Sequence, residues 1–118
     1  MARAMKIGIK SREEFQKYTI EVAKGKLKPA KDAPKIWFDS VESMAQVLST
    51  KNIKLLKTIK EQNPQSLTEL AVTSGRKLGN LSRTLKNMEK YGIVKLERDS
   101  KCVKAVVNVD TFQAVFGY

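Results

Sequence analysis

Residues Ser66–Tyr91 read SLTELAVTSGRKLGNLSRTLKNMEKY, two helices joined by a tight turn. In the first, over Leu67–Ser74, apolar Leu67, Leu70 and Ala71 recur at helical spacing and form one face. Ser66 stands at the N-cap, and Glu69 three residues on makes a capping box available. Gly75 stops the helix, because glycine enters the left-handed region without a Cβ clash. The second helix runs from Leu78 to Tyr91, with Leu78, Leu81, Leu85, Met88 and Tyr91 in one stripe. At about 100° per residue, Gly79, Asn80, Arg83, Lys86, Asn87 and Lys90 fall opposite that stripe. The opposite face holds three cations, two carboxamides and no acid. Lysine and arginine suit phosphates, arginine suits guanine edges, and asparagine suits adenine edges in a major groove.

Beyond Gly92 the pattern changes to period two. Ile93–Glu97, a polar turn at Arg98–Lys101, and Cys102–Val109 read as strand, turn and strand, a β-hairpin. Helix, helix, hairpin is the order of a winged helix. The expected fold is therefore α+β, mainly α with a small β wing.

Particular residues strengthen this reading. Glu69-Leu70-Ala71, Gly75, Ser82-Arg83 and Met88-Glu89-Lys90-Tyr91-Gly92-Ile93-Val94 resemble winged helix-turn-helix regulators of the MarR-like kind. With Trp37-Phe38-Asp39-Ser40, Leu48, Asn52, Leu55-Leu56, Pro64, Ser66, Gly75-Arg76 and Asn80–Leu85, the chain is similar to short prokaryotic winged-helix transcriptional regulators. Some of those are thought to be antitoxins encoded beside a small toxin. The resemblance covers Ile36–Phe116. It implies a second helix in the major groove, a wing near the minor groove, and a dimer. Relatives often carry a Ser or Thr cap where this chain has Lys77, which leaves the start of the second helix open by a residue or two.

The bulk charge agrees with a polyanionic partner. The 118 residues carry 23 Lys and Arg against 12 Asp and Glu, a net charge of +11. Residues 1–38 hold ten cations and four acids, residues 39–75 four of each, and residues 76–118 nine and four. The neutral middle suits scaffold helices; the charged ends suit contacts. One cysteine, Cys102, excludes an internal disulfide, and with no histidine the ligand set for zinc is missing. No apolar run approaches about 18 residues, and the N-terminus lacks a signal-peptide apolar region. A cytoplasmic or nucleoid-associated protein is expected. No Gly-rich phosphate loop or convincing carboxylate pair is present, so neither an enzyme nor a cofactor is expected.

Read in order, residues 1–35 form a strand–helix extension with a basic linker, and residues 36–118 the winged helix-turn-helix domain. Met5–Lys10 alternates as a short strand. Ser11 and Glu14 cap a helix to about Lys24 whose apolar face is Phe15, Tyr18 and Val22. Lys26–Lys35, with Pro29 and Pro34, reads as exposed linker. Whether this extension docks on the core, a second subunit or a partner is open. Lys35–Phe38 is extended, and Trp37 is either a core anchor or a partner surface. Val41–Leu48 is a helix burying Val41, Met44, Ala45 and Leu48; Ser49-Thr50 breaks it. Asn52–Gln62 follows, with Ile53, Leu55, Leu56 and Ile59 inward. Asp110–Phe116 reads as a short helix, packed on the core or at a dimer interface through Phe116 and Tyr118.

Asn80, Arg83 and Asn87 are the candidates for base contacts, since they lie toward the start of the second helix. Arg76, Lys77, Ser82, Lys86 and Lys90 are candidates for phosphates. Arg98 and Lys101 flank the wing turn and could approach the minor groove or backbone. Thr84 and Cys102 read as structural. The functional expectation is a sequence-specific, dimeric transcriptional repressor binding double-stranded DNA. An antitoxin that neutralises a toxin and autoregulates its operon is the alternative, kept open by residues 1–35. A third reading is an RNA-binding winged helix.

Overall fold

The structure, a computed structural model, describes residues 3–28 and 33–115. Its elements are β1 (Ala4–Ile9), α1 (Arg12–Ala23), β2 (Ile36–Phe38), α2 (Val41–Val47), α3 (Thr50–Gln62), α4 (Leu67–Ser74), α5 (Leu78–Lys90), β3 (Lys95–Arg98), β4 (Val103–Val106) and β5 (Thr111–Val115). The fold is α+β; the described residues form five helices, a three-stranded parallel sheet in the order β2-β1-β5, and a two-stranded antiparallel sheet of β3 and β4.

Local signals set most of the helix boundaries. Ser66 Oγ accepts the Glu69 N–H at 3.0 Å, satisfying one donor at the start of α4, and Glu69 Oε2 reaches back to the Gln65 N–H, one residue before the cap, at 3.3 Å. Gly75 ends α4 in the left-handed region at φ 73°, where a side chain would be strained. Ser11 accepts the Glu14 N–H at the start of α1. Ser49-Thr50 does more than break a helix: Ser49 Oγ accepts the Asn52 N–H at 3.2 Å, so α3 starts at Thr50.

One core joins both sheets to the helices. Ile7, Ile36 and Phe38 of the parallel sheet share it with Leu55, Leu56 and Ile59 of α3, Leu70 of α4, Leu81, Leu85 and Met88 of α5, and Leu96 and Ala105 of the hairpin. β1, from the segment set apart as an extension, is the central strand of the parallel sheet and buries Ile7 completely.

Several expectations need correction. The helix expected over Asp110–Phe116 is β5 instead: Thr111 to Val115 pair in parallel with Ala4 to Gly8. A seven-residue segment is too short to hold a helix on its own propensity, and the backbone of β1 offers a ladder of hydrogen bonds. Asp110 closes the end of that ladder: its Oδ1 accepts the Arg3 N–H, and its own N–H donates to the Arg3 carbonyl. Phe116 and Tyr118 lie outside the described residues, as does the middle of the 26–35 linker, residues 29–32. The inward face of α2 is rotated: Val47 is buried, Met44 and Leu48 are half-buried, and Val41 and Ala45 are exposed. Ile53 and Leu78 sit at the margins of their stripes and are likewise exposed.

No residue of α1 is buried. This helix is held through aromatic contacts. The Trp37 ring lies 6.1 Å from Phe15 and 5.7 Å from Tyr18, centroid to centroid, with Lys10 Nζ 5.2 Å from the Trp37 ring centroid. Trp37 thus fastens α1 to the sheet, and the sheet admits it because residue 8 is glycine. A Cβ at Gly8 would lie 2.6 Å from Trp37 Cε3 and 2.9 Å from Pro34 Cγ. Gly8→Ala is expected to destabilise the protein by about 1–3 kcal/mol, the usual cost of overpacking. Urea unfolding followed by Trp37 fluorescence measures it; an unchanged midpoint would mean that the indole has room to shift.

Candidate nucleic-acid interface along α5

Leu81, Leu85 and Met88 are fully buried, and this pins α5 by one side. Tyr91, just past its end, stacks on Phe38 with centroids 4.5 Å apart. The opposite side is therefore turned outward. Asn80, Arg83, Lys86, Asn87 and Lys90 are all exposed on it. Lys77 occupies the N-cap position and makes no side-chain cap bond, so α5 begins at Leu78.

Two adjoining clefts run beside this face. The first, about 540 Å³, lies where α5 meets the α4–α5 turn and the start of α3; Lys51, Arg76, Lys77, Asn80 and Arg83 line it. The second, about 550 Å³, lies between α5 and the end of α2; Gln46, Arg83, Lys86, Asn87 and Lys90 line it. Arg83 and Thr84 border both. The clefts collect six cations, Lys51, Arg76, Lys77, Arg83, Lys86 and Lys90, and among the described residues no carboxylate borders either. Such a surface favours an extended polyanion over an isolated acidic side chain.

A long-range hydrogen-bond network fixes the shape of the clefts. Asn52 Nδ2 donates to the carbonyls of Gln46 at 3.3 Å and Val47 at 3.0 Å, which satisfies the end of α2. Its Oδ1 accepts from Arg76 Nη1 at 3.1 Å, and Arg76 Nη2 donates to Thr84 Oγ1 at 3.3 Å. One asparagine and one arginine thus tie α2, α3, the α4–α5 turn and α5 together. Arg76, expected at a phosphate, is committed to this network, while Thr84 is the acceptor on α5.

The remaining candidates lie elsewhere. Ser82 is half-buried and borders neither cleft. Arg98 is on β3 and reaches back to Glu89 of α5, donating to both carboxylate oxygens at 3.2 Å. That bond is the main reason the Glu89 carboxyl lies below its ordinary pKa and the Arg98 guanidinium above. Arg98 therefore braces the hairpin against α5. Lys101 is exposed at the hairpin turn, which Asp99 organises: Asp99 Oδ1 accepts the N–H groups of Lys101 and Cys102, each at 2.8 Å. Those two bonds hold the Asp99 carboxyl below its usual pKa. Cys102 is half-buried, with its thiol 3.6 Å from the Gln65 carbonyl.

Sequence reasoning missed Lys51 and the role of Asn52. Lys51 looks like one more solvated lysine on an amphipathic helix; only the packing of α3 beside the turn brings it to the cleft. Asn52 offered a weak signal, a carboxamide in the first turn of a helix, but its partner Arg76 is 24 residues away.

Among the described residues, no group of three or more Cys, Asp or Glu side chains is placed to hold a metal ion. Among the same residues, no helix is long and apolar enough to cross a membrane. Neither the curated proteins nor the solved structures include a match to this chain. The family model HVO_A0114 matches residues 47–114, from the last residue of α2 into β5. With more than half of its length matched, the chain belongs to the HVO_A0114 family.

Proposed function

We propose that the protein is a sequence-specific DNA-binding transcriptional repressor of the winged helix-turn-helix type. In this reading α4 and α5 form the helix-turn-helix, α5 enters the major groove, and the β3–β4 hairpin is the wing. The carrying observation is the pair of clefts along α5, with six cations and, among the described residues, no carboxylate. The order of helix, turn, helix and antiparallel hairpin supports it, as does the resemblance to MarR-like regulators. Asn80, Arg83 and Asn87 read bases, while Lys51, Lys77, Lys86 and Lys90 hold the phosphate backbone. Arg76 and Arg98 act behind the interface by fixing the turn and the wing. One α5 reads too few bases alone, so the active form is a two-fold dimer on an inverted repeat.

Selection of bound duplexes from genomic fragments, first near physiological salt and then at higher salt, tests the reading. An inverted repeat surviving both rounds is expected. Enrichment without a motif that vanishes with salt would reduce the clefts to a non-specific basic surface. Lys86→Ala is expected to weaken specific and random duplexes alike and to lower the salt slope by about 1. An unchanged slope in filter-binding titrations would take Lys86 out of the interface.

A further inference from the structure

The parallel sheet ends on an open strand. β5 pairs with β1 on one side, and among the described residues no strand lies on its other side. Phe112 alone is half-buried; Thr111, Gln113, Ala114 and Val115 are exposed, with Val115 still 55% accessible. β5 is thus open at its edge and largely open on both faces. That is an unusual state for a parallel sheet, which is normally covered on both sides. A free edge presents a row of unpaired N–H and C=O groups, and natural edges are commonly blocked by lysine, proline or a bulge. Thr111-Phe112-Gln113-Ala114-Val115 contains neither lysine nor proline. The other edge strand, β2, is only three residues long and has α2 packed beside it.

We propose that β5 is the dimer interface: the β5 strands of two copies pair antiparallel about a two-fold axis, joining two three-stranded sheets into one of six. Three observations favour a second copy over another partner. An uncharged edge is self-complementary, as an isologous contact requires. A chain of charge +11 repels its own kind over much of its surface, and β5 itself carries no charge to add to that repulsion. The one acid beside it, Asp110, is already held by Lys60 Nζ at 3.4 Å and by the Arg3 N–H at 2.9 Å, which leaves little to attract a basic partner. An acidic partner would be drawn to the α5 clefts instead. The residue types, β-branched and aromatic among them, are those that stabilise cross-strand pairs. Four residues, 107–110, separate β4 from β5, so this axis would also fix one hairpin relative to the other.

The inference names the surface for the dimer invoked above, and its test contains no DNA, so the failure of either reading is seen separately. The full chain is examined by sedimentation equilibrium over a wide range of concentration. A reversible dimer is expected. Gln113→Lys with Val115→Lys, both at exposed positions, sets like charges across the axis and is expected to leave only monomer where the parent is dimeric. Val72→Lys, at an 81% exposed site on α4, is expected to leave the dimer intact. A monomeric parent, a dimeric double variant, or a dimer lost in Val72→Lys would each overturn the proposal. Should the double variant unfold, hydrogen exchange of the parent decides. Protection of the 111–115 amides that rises with concentration supports the interface; protection independent of concentration refutes it.

Discussion

Leu85→Ala is expected to destabilise the protein by about 2–5 kcal/mol. Leu85 is fully buried in the middle of the α5 stripe, between Leu81 and Met88, which are equally inaccessible. The helix is in contact with α2, α4 and β3, and Leu85 belongs to the shared core, so truncating it removes fully buried side-chain volume and leaves a cavity. Denaturant unfolding should show a lower midpoint with an unchanged slope. A loss well under about 1 kcal/mol would mean that the helix is not wedged as the burial implies. The same substitution removes no group from the polar face. Under the proposed function, the variant should therefore bind DNA with nearly parental affinity while it remains folded, which separates the two sides of α5 experimentally.

The two sides of α5 were legible in the sequence because helical period and residue type are local properties. So were the Ser66 cap and the Gly75 stop, whose determinants sit within a few positions of one another. The margins of the stripes were less legible. Leu78, Val41 and Ile53 have the right spacing, yet each is exposed. β5 could not be read locally at all. Phe112 and Val115, three residues apart, share one face in a helix and fall on opposite faces of a strand, so local spacing points to a helix; the strand is imposed by β1, more than 100 residues earlier in the chain. The arginines show the same limit at the site. The sequence suggested a phosphate contact for Arg76 and a minor-groove or backbone contact for Arg98, but each guanidinium is bound to another part of the chain, Asn52 with Thr84 for one and Glu89 for the other. Spacing can place a charge on a face; only packing decides whether that charge is already spoken for.

Arg83 is the arginine that packing leaves available. It is exposed, borders both clefts, and among the described residues its side chain has no hydrogen-bond or ion-pair partner. A guanidinium held at that junction can present two parallel donors to a guanine edge, a geometry that lysine cannot reproduce. Arg83→Ala is accordingly expected to lower affinity for the selected site by about 1–3 kcal/mol, a loss of roughly fivefold to more than a hundredfold, and to relax preference at one base pair. Arg83→Lys should recover the salt-dependent part of binding and leave the base preference relaxed. Thermal unfolding should move little in either variant, because the side chain braces nothing. Competition titrations against the selected site, its single-base variants and random duplex distinguish the outcomes. Equal weakening of specific and random DNA by Arg83→Ala would make Arg83 a phosphate contact, and base reading would then fall to Asn80 and Asn87 on the same face.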